Sequence, residues 1–200
     1  MRDAKFVTIG FDVRELVPTS AIRRLDQLNQ MVAWPSKVLT TADAMVQPKP
    51  PRYRYQENSS DAETSILGFF RPIGGLIRSV RADISGTEKI YVYRLRSEIV
   101  AYIEERFGCI EREFDLATDA SEFQQIGFDV VDIDGLTSGL WGCSFEIWEK
   151  ELWAPHFQKH LNRFGLFDDE NFAARFAQCR SLVVEEHAPF LSLQILAMPD

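Results

Sequence analysis

Cysteine is scarce and poorly spaced for pairing, with Cys109, Cys143 and Cys179 the three in the 200-residue chain. An odd, scattered set without CxxC is neither a disulfide framework nor a metal knuckle, and it points to a reducing compartment. No apolar run approaches the roughly 18 residues of a membrane-spanning helix, so no membrane is expected as partner. Met1–Gly10 has neither a long apolar core nor a small-residue cleavage site, and the chain reads as cytoplasmic. Histidine is limited to His156, His160 and His187. No serine stands in a nucleophile elbow, no GxGxxG is present, and Gly74-Gly75 lacks the lysine and spacing of a phosphate loop. No cofactor is expected.

What the chain has is bulk and a lopsided charge. Fifteen Phe and four Trp supply a core that needs no disulfide or metal staple. Residues 1–100 carry 15 Lys/Arg against 11 Asp/Glu, a net +4, whereas residues 101–200 carry 7 against 19, a net −12. An acidic half repels phosphate backbones, which disfavours nucleic acid as partner. It attracts a basic protein and accelerates its association.

Periodicity divides the chain into an N-terminal helix with a proline-rich, polar linker (1–65) and a main α+β domain (66–200), a small mixed or antiparallel sheet packed against several helices. Lys5–Gly10 reads as a short strand, and Ile22, Leu25, Leu28 and Val32 recur at helical steps before Trp34-Pro35. Ile73, Leu76, Ile77 and Val80 share a second helical face. Lys89–Leu95 alternates like a strand, and Ser97 opens a helix with Ile99, Val100, Ile103 and Phe107 inward. Ile110–Leu116 predicts a strand with Glu111, Glu113 and Asp115 on its wet face. Asp119 and Glu122 form a capping box for a short helix around Phe123 and Ile126.

The longest packable block is Phe128–Met198. Phe128–Ile133 and Leu140–Phe145 flank the turn-rich 134–139, which predicts a hairpin or functional loop. Phe145, Trp148 and Leu152 form one helical stripe, and Phe157, Leu161 and Phe164 the next. Asp168 is placed to cap a helix on which Phe172, Phe176, Cys179 and Val183 line up, with Phe167 and Phe172 as a hydrophobic staple. Phe190–Ala197 closes as a strand. The expected core includes Phe107, Phe114, Trp148, Leu152, Phe172, Phe176, Leu193 and Ile195.

Three constellations invite chemistry. His156 and His160, four apart with Cys143 upstream, resemble half a zinc site, but no CxxC accompanies them and the glutamate of HExxH is missing. Asp129, Asp132 and Asp134 could hold a cation, yet strand alternation puts Asp129 and Asp132 on opposite faces. His187 beside Glu185 and Glu186 could move a proton, or simply anchor its loop. No catalytic or metal-ligating residue is assigned from these patterns. A small hydrolase or metal-dependent enzyme using His156, His160 and nearby carboxylates is the alternative reading, and an oligomeric accessory protein with Trp-rich interfaces a third.

Leu161-Asn-Arg-Phe-Gly-Leu-Phe-Asp-Asp169 and Val184-Glu-Glu-His-Ala-Pro-Phe190 resemble phrases of small, acidic bacterial immunity proteins of contact-dependent and other polymorphic toxin systems. The resemblance covers the last third of the chain. It implies a non-catalytic inhibitor that occludes a basic partner, a toxin or nuclease. Candidate contact residues are Glu111, Glu113, Asp115, Asp132, Asp134, Glu185 and Glu186.

Overall fold

The computed structural model describes residues 6–19, 37–39, 84, 86–107, 122–133, 138–140 and 156–199. Their elements in chain order are β1 (Phe6–Arg14), β2 (Val17–Pro18), β3 (Lys37–Val38), β4 (Lys89–Arg96), a helix α1 (Ser97–Phe107), β5 (Gln124–Asp132), a helix α2 (Glu170–Val183) and β6 (Phe190–Ala197). Four strands form an antiparallel sheet in the order β1-β4-β6-β5, and β2 pairs with β3. The class is α+β. Among the described residues, no helix is long and apolar enough to cross a membrane.

The chain divides into two compact units, one of residues 1–14, 51–125 and 193–200, the other of residues 15–50 and 126–192. In the first unit β1 runs antiparallel to β4, with Phe11 opposite Val92 and Val13 opposite Ile90. Those four side chains and Leu196 form a buried cluster, against which Ile84, Phe123 and Met198 pack. The register shifts between Thr8 and Gly10, a bulge that adds a residue to β1 and re-aims the strand. Sequence alternation predicts a strand ending at Gly10, but β1 continues to Arg14. Asp12 and Arg14 resolve the difference: both are buried, and the guanidinium Nε lies 2.8 Å from the carboxylate. Two residues apart on a strand, they share a face and compensate each other's charge.

Ser97 begins α1, and its inward side carries Val100 and Ile103, both buried, as the periodicity predicts. The side chain of Phe107, and Phe114, Trp148 and Leu152 with it, lies outside the described residues. So do the helices predicted over 22–32 and 73–80, the strand over 110–116 and the stripe from Phe145 to Leu152. Of the expected core, Phe176, Leu193 and Ile195 are buried, and Phe172 is half-buried.

The second unit holds β2 and β3, which pair antiparallel with Val17 opposite Val38 in register. The predicted helix around Phe123 and Ile126 is instead the start of β5. Gly127, at φ +145°, explains the extended backbone there: a Cβ would stand 2.8 Å from the Leu166 Cβ and 2.9 Å from the Phe167 carbonyl oxygen. The chain turns back on β5 through a bridge between Val131 and Ser138, and the Gly139 N–H donates to the Val130 carbonyl at 2.6 Å. Phe157, Leu161 and Phe164 do not share one helix. A short helical turn ends at His160, Leu161 bridges Phe167, and Phe164 sits in the intervening turn, closed by Gly165 at φ +72°. Phe167 then exchanges two backbone hydrogen bonds with Phe128, at 2.8 and 2.9 Å. The left-handed glycine and the bonds of Asn162 override the helical spacing here.

Candidate interaction surface

Helix α2 organises the second unit's surface. Asp169, not Asp168, is its cap, accepting the Asn171 N–H at 2.8 Å. Asp168 instead accepts from the Asn162 side chain at 2.8 Å. The buried face of the helix is also turned from the one its spacing predicts. Its buried stripe is Ala173, Phe176, Ala177 and Arg180, rather than the predicted Phe172, Phe176, Cys179 and Val183. Phe176 packs edge-on against Phe157 at 4.9 Å and tilted against Phe167 at 5.4 Å. Arg180 lies over the Phe190 ring at 5.2 Å, so a cation takes a buried position through its planar face. Phe167 and Phe172 are in contact at 5.0 Å, as the staple predicts, although the cap stands one residue further on.

The rotation leaves the end of α2 apolar and wet. Leu182 is 79% exposed and Val183 43%. The chain leaves the helix under tight control: the Ser181 hydroxyl donates to the Ala177 carbonyl at 2.9 Å and accepts the Phe190 N–H at 2.8 Å. The Val184 N–H returns to the Arg180 carbonyl at 2.9 Å, and the Ala188 N–H to Glu185 at 3.2 Å. That short turn, Glu185–His187, presents Glu185 and Glu186 to solvent directly after the exposed Leu182-Val183 pair. His187 Nε2 is 3.5 Å from Glu186, a surface contact that is an ion pair only when the imidazole is protonated.

Of the predicted contact residues, the structure therefore exposes Glu185 and Glu186. Asp132 is a correction: it is only 4% exposed, because β5 is buried along its whole second half. Glu111, Glu113, Asp115 and Asp134 lie outside the described residues. Leu182 and Val183 are what sequence reasoning misses, since it turns Val183 inward.

Among the described residues, the other constellations do not assemble. Asp129 is fully buried and accepts from the Ser138 hydroxyl at 2.8 Å and from the Val130 N–H at 2.7 Å, which makes it the brace of the β5 turn. His156 and His160 are both exposed, and His160 stacks on Phe172 at 3.9 Å. Among the described residues, no group of three or more His, Cys, Asp and Glu side chains converges to hold a metal ion. Cys143 lies outside them. Comparison with protein-family models, with curated proteins and with solved structures gives no match.

Proposed function

We propose that the protein is a non-catalytic binding protein that occludes a basic protein partner, in the manner of an immunity or antitoxin-like inhibitor. The observation that carries this reading is the end of α2, where exposed Leu182 and Val183 adjoin exposed Glu185 and Glu186. Burying a leucine of this kind in a partner contributes roughly 1.5–3 kcal/mol. Carboxylates beside it select a basic rim and steer its approach. The net −12 of residues 101–200 extends that preference over a longer range, and Glu111, Glu113, Asp115 and Asp134 are proposed to add to the same field.

The test is capture of the partner from the native host, followed by reconstitution of the purified pair. The reading requires a basic protein that binds the wild type, loses affinity about tenfold or more with Leu182→Asp, and is inhibited while bound. A captured protein that is acidic, or that binds the Leu182→Asp variant equally well, counts against it.

A further inference from the structure

The outer face of α2 has the spacing of a helix seam. Asn171, Ala174, Arg175, Gln178 and Leu182 are all exposed, and the steps 171-175-178-182 alternate between four and three residues. That alternation keeps side chains in one stripe, the arrangement by which two helices pack side by side. The stripe lies opposite the face that α2 buries.

Its two ends carry opposite charge. Toward the start, Arg175 is anchored: its Nε–H donates to the Asn171 carbonyl at 3.3 Å, and its Cζ lies 5.9 Å from the Phe172 ring. The bond uses one of the five N–H donors of a guanidinium, and a carboxylate is held by two. Past the other end, the turn Glu185–His187 exposes Glu185 and Glu186. Between them stand Gln178, polar with an aliphatic stem, and apolar Leu182. A row that runs from cation through apolar centre to anion is complementary to its own reverse.

The level of Arg180 is midway between Arg175 and Glu185, and also midway between Gln178 and Leu182. A two-fold axis at that level sets Arg175 against Glu185 of a second copy and Gln178 against Leu182 of that copy, each twice by symmetry. With a rise of about 1.5 Å per residue, the two Leu182 side chains stand about 6 Å apart along the helices and flank the axis. The antiparallel arrangement also opposes the two helix dipoles.

We infer that α2 pairs with α2 of a second copy of this chain, antiparallel and two-fold, with Arg175 against Glu185 and Leu182 at the centre. One helix of 14 residues on each side covers less than the roughly 1,200–2,000 Å² of a stable interface, so the pair is weak and reversible. The pairing stands without the basic-partner reading. Where that reading holds, the pair covers Leu182, Glu185 and Glu186 and must come apart before the partner binds.

The experiment is sedimentation of the full-length protein from about 10 µM to about 1 mM, the range in which a weak pair of this kind dissociates. The expected mass rises from monomer to dimer and stops there, because a two-fold interface closes on itself. Arg175→Glu and, separately, Glu185→Lys set like charges together at both ends, and each should weaken association at least about tenfold. An equimolar mixture of the two variants should restore it, because both pairs across the axis are then of opposite charge. A merely structural effect of either substitution would not be repaired by mixing. Wild type that stays monomeric throughout, single variants that dimerise like wild type, or a mixture that fails to recover overturns the pairing. Should either variant fail to fold, an undiminished dimer in Leu182→Asp overturns it as well. Arg175→Glu keeps Leu182, Glu185 and Glu186, so its binding to a basic partner tests that reading separately from this one.

Discussion

The side-chain amide of Asn162 donates to the carbonyl of Ile126 at 2.7 Å, joining two segments 36 residues apart. Its second N–H goes to Asp168 at 2.8 Å, and its oxygen accepts from the Phe164 and Leu166 N–H groups at 2.9 and 3.3 Å. Every hydrogen-bonding position of this amide is therefore used. Asn162→Ala is expected to cost about 1–3 kcal/mol, because it orphans a partly buried carbonyl and two backbone donors. Asn162→Asp should also destabilise at neutral pH, where a carboxylate faces a carbonyl and Asp168, and should recover part of the loss below the carboxylate range. Denaturant midpoints at two pH values check both statements.

Gly127 lies under the same loop. Its φ of +145° and the 3.0 Å approach to Asn162 Nδ2 that a Cβ would make leave no space for a side chain. Gly127→Ala should cost roughly 1–3 kcal/mol through overpacking and backbone strain together. A midpoint within 0.5 kcal/mol of wild type (about the spread of neutral substitutions) would show that the loop yields freely.

Phe176 is buried between Phe157 and Phe167. Phe176→Ala should destabilise by about 3–5 kcal/mol, whereas Leu182→Ala on the same helix should change stability by less than about 0.5 kcal/mol. Comparable losses at the two positions would mean that the helix faces otherwise. The contrast also certifies Leu182 variants for binding work.

The elements most legible in the sequence are those with one dominant signal. Phe190–Ala197 reads as a strand and is β6, and Lys89–Leu95 reads as a strand and is β4 with one residue more. Ser97 with Val100 and Ile103 likewise suffices for α1. Where two signals compete, periodicity alone misleads. Asp12 and Arg14 look like the polar end of a strand until their mutual pairing is known. Leu161 and Phe164 keep helical spacing, yet Gly165 and the four bonds of Asn162 impose a turn. On α2 the large aromatics suggest the inward face, but Ala173 and Ala177 allow close approach and Arg180 finds the Phe190 ring. The spacing picks out Phe172, Phe176, Cys179 and Val183 and so passes over Leu182, while the charged turn after it, Glu185 and Glu186, is plain.

His156 and His160 give a separate check. Both are exposed, and His160 is engaged with the Phe172 ring, so added zinc or a chelator should leave the melting temperature unchanged. Stoichiometric zinc in purified protein would revive the alternative of a metal-dependent enzyme.

The most direct measurement of the central claim is the association rate of the captured basic partner across a salt series. The Debye length falls from about 10 Å at 0.1 M to about 3 Å at 1 M, so steering by exposed carboxylates fades over that range. The account predicts that association slows as salt rises, while dissociation changes less. It predicts that Glu185→Lys with Glu186→Lys slows association at low salt, and that Leu182→Asp mainly speeds dissociation. An association rate indifferent to both salt and charge reversal, with Leu182→Asp dissociating no faster than wild type, would contradict it.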